Sequence, residues 1–300
     1  MSDILSKGNL FPEELVNTMI NQVKGESALA KLSASTPIPF NGMREFTFSL
    51  DREVDLVAEN GAKTKGGVTV EPVTIVPVKV EYGARVSDEF RYASESVQLD
   101  YLANFTEGFA RKVARGIDIM AMHGFNPRTS AASNVIGSNC FDLKVNQTVT
   151  QETTPDPEDD MESAVALITA WGNEVTGAAF SPAFRAQLAQ VRTYEGGPVK
   201  YPELAWGGKP ESLNGLQTEF NQTVAVGNED MAIIGDFARA FRWGYAKEIP
   251  LEIIQFGNPD NDDTMGDLKG HNQIYLRTEA YIGWGILDAA AFARITRTAP

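Results

Sequence analysis

Histidine and cysteine are all but missing from this chain: His123 and His271 are the only histidines and Cys140 the only cysteine. A single cysteine cannot close an intramolecular disulfide, which excludes a disulfide-stapled scaffold and fits folding in a reducing compartment. One cysteine and two distant histidines also cannot supply three or four zinc ligands at any familiar spacing. His123 ends a helical pattern, where a cation suits the helix dipole, so a capping or packing role is expected of it rather than general-base work. Long apolar runs are lacking too. None approaches the ~20 residues needed to cross a bilayer, and the first 20 residues lack the basic-then-apolar order of a secretory leader. No membrane role is indicated.

Positive charge is scarce: 26 Lys and Arg face 40 Asp and Glu, a net of −14. The first 150 residues hold 15 basic and 18 acidic groups, a net of −3, which leaves −11 for the second half. The densest basic cluster, Arg111, Lys112 and Arg115, is too small to form the stripe that displaces phosphate counterions, and it reads as a solvated helix face. Phosphate loops are absent as well. Gly207-Gly208-Lys209-Pro210 has no Ser or Thr after the lysine, and Gly283-Trp284-Gly285 has Asp288 where a third glycine belongs. Asp260-Asn261-Asp262-Asp263-Thr264 starts like a calcium loop, but Met265 stands in place of the glycine and His271 in place of the terminal glutamate, so it reads as a solvated loop. Neither a cofactor nor a metal is called for.

What is present is enough for a sizeable core. The chain has 300 residues, 43% of them hydrophobic, the composition of a soluble globular protein of two domains or of one domain with a large insertion. Residues 1 to about 40 read as an arm, with a short helix over 12–23 and then prolines at 37 and 39. Alternation of Val76, Val78, Val80, Tyr82, Ala84 and Val86 with polar residues predicts a strand, and Phe46 and Phe48 mark an earlier one. Between them lie Asn60-Gly61 and Gly66-Gly67, which are turn chemistry. The resulting ribbon, Arg44 to Tyr82, has too few apolar residues at its tip to pack on its own domain, and such a ribbon needs a neighbour.

Leu102, Phe105, Phe109, Val113, Ile117 and Met120 recur every three or four residues and predict a helix over 96–123, roughly 40 Å long, with Ser96 as N-cap and Gly124 as its stop. Glu107 and Arg111 stand at i,i+4 within it. A second region opens with Asp156 as cap, Pro157 at the first helical position and Glu158, Asp159 and Asp160 at the positive end of the dipole. Further expectations are a strand at Ala178–Phe180, a helix capped by Ser181, and strands over 223–226, 231–234, 249–256 and 274–282.

This order, together with Glu26-Ser27-Ala28-Leu29-Ala30, Val57-Ala58-Glu59-Asn60-Gly61-Ala62, the run from Ala110 to Asp118, Asn214-Gly215-Leu216, Gly235-Asp236-Phe237, Arg277 and Asp288 to Phe292, resembles the major capsid protein of tailed bacteriophages, the Hong Kong 97-type fold. The resemblance implies an α+β chain divided into an N-arm (1–43), an extended β-hairpin called the E-loop (44–82), a peripheral domain with a spine helix (83–130 and 271–300) and an axial domain (131–270). It implies a non-enzymatic subunit, made in the host bacterial cytoplasm and located in the virion, that assembles with itself into hexamers and pentamers of an icosahedral head enclosing double-stranded DNA without specific binding. Its other implied partners are a portal and a separate scaffolding protein. Asn60, Gly61, Lys63, Lys65, Gly66 and Gly67 would form the assembly tip, and Phe105, Phe109, Arg111, Arg115 and Gly116 would carry the spine. Lys63 and Lys65 sit where part of the family forms isopeptide cross-links, but no third carboxylate aligns with that chemistry, and they read as solvated. An encapsulin-like cargo shell and a soluble α/β enzyme are the alternatives.

The charge balance generates one prediction. The unassembled subunit will show no measurable binding to double-stranded DNA at physiological salt in a filter assay, because −14 opposes approach; micromolar affinity with a steep salt slope would expose an overlooked basic surface.

Overall fold

The computed structural model describes residues 26–50, 52–227, 230–247 and 251–297. The helix expected over 12–23 lies outside them. The first described element is a five-residue helix, α1 (Ala28–Leu32), capped by the Ser27 hydroxyl, which accepts from the Ala30 N–H. Strands β1 (Met43–Leu50) and β2 (Val68–Ile75) pair antiparallel from Met43↔Ile75 to Leu50↔Val68. The ribbon therefore ends at Ile75. Val78–Ser87, whose first five residues fall within the expected hairpin, form β3 and belong to a different sheet.

A long helix, α2 (Glu95–His123), spans 29 residues, and Gly124 ends it at φ 69°, a left-handed cap that costs glycine nothing. The capping position at its start falls on Ser94 rather than on the expected Ser96, which lies inside the first turn. The apolar stripe widens along the helix: at Leu102 and Phe109 one face is buried, whereas Gly116 to His123 are buried all round. Short strands β4 (Phe125–Asn126) and β5 (Ala131–Ala132), helix α3 (Phe141–Lys144) and β6 (Thr148–Gln151) follow. Helix α4 (Pro157–Thr169) starts as its sequence directs, the Asp156 side chain accepting from the N–H groups of Glu158 and Asp159. Then come β7 (Gly177–Phe180), α5 (Pro182–Leu188) capped by Ser181, β8 (Ser212–Leu213) and β9 (Leu216–Phe220). The strand expected over 223–226 is instead a 3-10 turn, Gln222–Ala225, because the Asn221 side chain accepts from the Thr223 N–H and starts a turn. The chain closes with β10 (Asp230–Gly235), β11 (Phe241–Lys247), β12 (Leu251–Ile254), β13 (Gln273–Ile286) and β14 (Phe292–Arg297).

Two larger sheets result. One has the order β6-β14-β10-β7-β9-β8; in the other, β13 pairs with β3 along one edge and with β11 and β12 along the other. Strands β11 and β12, within the range 131–270, thus join β13, while β14, within 271–300, joins the six-stranded sheet. All six residues of β10 are buried, since both faces of its sheet are covered. Ile233 and Phe292 face a core built with Leu29, Phe109, Ile117, Phe141, Trp243 and Trp284. Ile234 and Ile295 face a second, with Ile168, Phe180, Phe184 and Leu188 from α4, β7 and α5. The acidic loop after β12 is more than solvated: Asp260 pairs with Arg85 of β3 at 2.5 Å, and the Asp262 side chain accepts from the N–H groups of Thr264 and Met265.

Gly108 and Gly116 interrupt α2, yet neither is sterically required. A methyl at Gly108 would meet open space, and one at Gly116 would make ordinary contact with Pro127 at 3.5 Å. Each glycine in a helix interior costs about 1 kcal/mol relative to alanine, so Gly108→Ala and Gly116→Ala should each raise stability by up to about that amount in denaturant titrations. A loss at Gly116 would mean that the Pro127 contact tolerates no methyl.

Candidate functional site

The ribbon is the most exposed part of the described chain. Antiparallel register puts Phe46, Pro72, Val70 and Val68 on one face, and all four are exposed. From 52 to 66 every residue is exposed, with Val54 and Leu56 almost entirely in water. Asn60 adopts φ 66°, and the Gly61 N–H donates to the Ala58 carbonyl at 2.8 Å, which makes the expected turn. A side chain at Gly66 would meet open space, and Gly67 is half-buried at the start of the return to β2. Lys63 and Lys65 are exposed and have no ion-pair partner among the described residues.

The helix residues divide between core and surface. Phe109 is in the main core, and Phe105 is half-buried 6.1 Å from the Tyr82 ring beneath β3 and β13. Gly116 is buried, whereas Arg111 and Arg115 are exposed, Arg111 pairing with Glu107 at 2.6 Å as the spacing predicts. Both arginines line a groove of about 990 Å³ with Lys31, Lys209, Glu211 and Glu219, and its mixed charge gives no preference for an anion. Tip and helix do not form one site within the subunit.

The structure also contains a buried polar chain that sequence reading missed. Asp118, fully buried on α2, accepts from the Ser27 hydroxyl at 2.5 Å, from the N–H groups of Ala28 and Leu29 at 2.9 and 3.2 Å, and from the Thr223 hydroxyl at 3.0 Å. The Thr223 carbonyl in turn lies 2.9 Å from Nε2 of His123, whose Nδ1 lies 2.9 Å from Asp142. A carbonyl and a carboxylate can only accept, so both ring nitrogens carry hydrogen and His123 is an imidazolium. Arg294 bridges Asp142 at 3.0 Å and Asp230 at 2.7 Å. Two cations thus face two acidic groups. His123, Asp142 and Asp230 place three ligand atoms within 4.8 Å of one another, the one such group among the described residues. They do not fit a metal, because Arg294 already occupies both carboxylates and the imidazolium has no free lone pair. His123 thus packs as an ion-paired helix terminus.

A signal for Asp118 was present: it is an acid set between Ile117 and Ile119 in an otherwise apolar turn. Two segments singled out in the sequence, 26–30 and 110–118, meet at this carboxylate.

Among known proteins, the family model described as the phage capsid family matches residues 7–296. The chain belongs to the phage capsid family. It is accordingly a structural subunit of a capsid and not an enzyme. Solved structures agree. A chain from Mycobacterium phage Ogopogo shares 30% identity with a TM-score of 0.77, the match covering 91% of this chain and 92% of that one. One from Gordonia phage Cozz shares 24% identity at a TM-score of 0.74, over 91% and 86%. A chain of the capsid of a native GTA particle shows the same fold at 12% identity, TM-score 0.65, over 91% and 90%. No curated protein matches the chain. No helix among the described residues of this capsid subunit is long and apolar enough to cross a membrane.

Burial pushes the Asp118 carboxyl up to about 6 against the pull of its four donors, and burial likewise pushes Asp230 up to about 7 despite Arg294. For His123, burial opposes the charged ring, but the Asp142 hydrogen bond and charge outweigh it and raise its pKa. All three native groups hold protons more tightly than the unfolded chain, so stability falls as pH rises from about 4 through 7. Asp142 is held below the usual carboxylate range: burial opposes this, but His123 and Arg294 prevail, and that contribution is lost in acid. The melting temperature should therefore be several degrees higher near pH 5.5 than at pH 8, with a shallower slope for Asp118→Asn. A melting temperature that climbs from pH 5.5 to 8 would refute the assignment.

Proposed function

We propose that this subunit assembles with itself into hexamers and pentamers of an icosahedral phage head that encloses double-stranded DNA without binding it specifically, with a portal and a separate scaffolding protein as partners. The carrying observation is the ribbon: an apolar face of Phe46, Val68, Val70 and Pro72 left in water, running out to Val54 and Leu56 at the tip. An isolated two-stranded ribbon is marginal by itself, and an uncovered apolar one invites pairing, so its place is against a neighbouring copy. In this reading β1, β2 and the connecting residues are the E-loop, with Asn60, Gly61, Lys63, Lys65, Gly66 and Gly67 at the contact end, and the N-arm expected over 1–43 ends where β1 begins. Helix α2 is the spine of a peripheral domain, with Phe105 and Phe109 seating it, Arg111 and Arg115 on its open face, and Gly116 a glycine in its interior. Strand pairing favours assigning β3, β11, β12 and β13 to that domain, and β6 to β10 with β14 to the axial domain. A net charge of −14 supports passive enclosure, since an acidic inner wall would not trap phosphate.

Deleting residues 62–67 should leave the melting temperature nearly unchanged and stop closed shells from forming. Calorimetry and particle imaging test this together; normal shells, or loss of folding, would overturn the assignment of the ribbon.

A further inference from the structure

Trp206 is the most exposed large apolar side chain of the described residues, its whole surface open to solvent. It is also held in a backbone conformation that residues with a Cβ avoid, φ 55° and ψ 24°, directly after extended Ala205. The turn that imposes this is pinned on both sides. Leu204 is fully buried in the second core, its N–H donating to the Tyr201 carbonyl and its carbonyl accepting from Arg185 of α5 at 3.2 Å. Tyr201 is itself tied to α4 through Glu158 at 2.5 Å. On the far side the Gly208 N–H donates to the Ala205 carbonyl, and a side chain at Gly208 would collide with the Glu203 carbonyl, so glycine alone closes the turn.

Exposure and strain point the same way. A scattered surface apolar residue needs no explanation, but a fully exposed indole presented by a rigid, strained turn costs energy twice and gains no contact within the subunit. Trp206 sits on a turn anchored to α4 and α5 and not on the ribbon, so this feature is distinct from the surface argued above. From the exposed indole and its pinned turn, we infer that Trp206 is the anchor of a second contact between copies of this chain, its indole inserting into the surface of the adjacent copy. Tryptophan is among the residues that carry most of the energy in such contacts, and pre-ordering by the turn lowers the entropy lost on docking. A copy of the same chain is the committed partner because self-association is what a capsid subunit does. The contact is head-to-tail, the receiving surface lying elsewhere on the neighbour, as ring formation requires. The inference rests on the self-assembly proposed above.

The test uses the full chain. The four tryptophans comprise buried Trp243 and Trp284 and exposed Trp171 and Trp206, so Trp171→Phe leaves Trp206 as the quenchable one. In that variant acrylamide should quench Trp206 strongly in unassembled subunits and several-fold less in assembled shells, formed with the scaffolding protein where the chain alone does not close them. Trp206→Ser should keep the circular dichroism and melting temperature of the parent while raising the subunit concentration needed for shells by about tenfold or more. Unchanged quenching in shells, or Trp206→Ser shells at the parental concentration, overturns the inference. The quenching readout needs no substitution at Trp206, so a folding defect in the serine variant does not leave the question open. Failure of the parent to assemble even with its scaffolding protein supplied would instead overturn self-assembly itself, and this contact with it.

Discussion

The Asp118 carboxylate is fully buried, so its solvation must come from the hydroxyls of Ser27 and Thr223 and the N–H groups of Ala28 and Leu29. The carboxylate and its donors belong to three places in the chain: the long helix, the N-terminal segment and the turn before β10. A buried charge that lost any of these donors would be left uncompensated at a cost of a few kcal/mol. The arrangement is therefore all-or-none. It fixes where α1 sits, and α1 carries Leu29 and Leu32 into the core. Beyond α1 the segment is tied again, the Thr36 and Ile38 N–H groups donating to the carbonyls of Trp243 and Tyr245 on β11. A segment too short to hold a core of its own is thus made part of one by hydrogen bonds to partners distant in sequence.

From Thr223 the same chain of contacts passes through the imidazolium of His123 to Asp142, Arg294 and Asp230, which joins the C-terminal end of α2 to the middle of the six-stranded sheet. The cluster ties the long helix to β10 and β14. Such groups add less to stability than apolar packing of the same volume, but they punish any other arrangement, since a shifted strand would bury an unpaired charge. Register in β10 and β14 is held by Arg294 as well as by alternation.

Local patterning was legible where a single element decides its own structure. Asp156 with Pro157, Ser181 with Pro182, Gly124 and the apolar stripe of α2 all act within a few residues of themselves, and the structure agrees with each. The Asn60-Gly61 turn was legible for the same reason. What escaped depends on partners distant in sequence. The ribbon ends at Ile75 because β13 claims Val78 onward, and nothing in the alternation of 76–86 reveals which strand that partner is. Thr223 to Val226 carries strand-forming residues, yet Asn221 and the pull of Asp118 and His123 on Thr223 make it a turn. Asp260 reads as a solvated acid in the sequence and is fixed by Arg85 from 175 residues earlier. The exposed tip was readable from its glycines and lysines; Trp206 was not, since exposure is a property of the fold.

Strand β13 pairs on both edges with segments distant in the chain, Val78–Ser87 on one side and Phe241–Lys247 with Leu251–Ile254 on the other, and β14 sits between β6 and β10. Neither large sheet can close before residues 273–297 are available. During synthesis β3 must wait without its partner for the greater part of translation, and β6, β11 and β12 for less of it, which is when such chains aggregate or recruit chaperones. Completion of both sheets is thereby deferred until the chain is almost complete, so truncated products cannot present a finished sheet. A lattice built from many copies is protected from incorporating partial ones by the order in which its own strands are made.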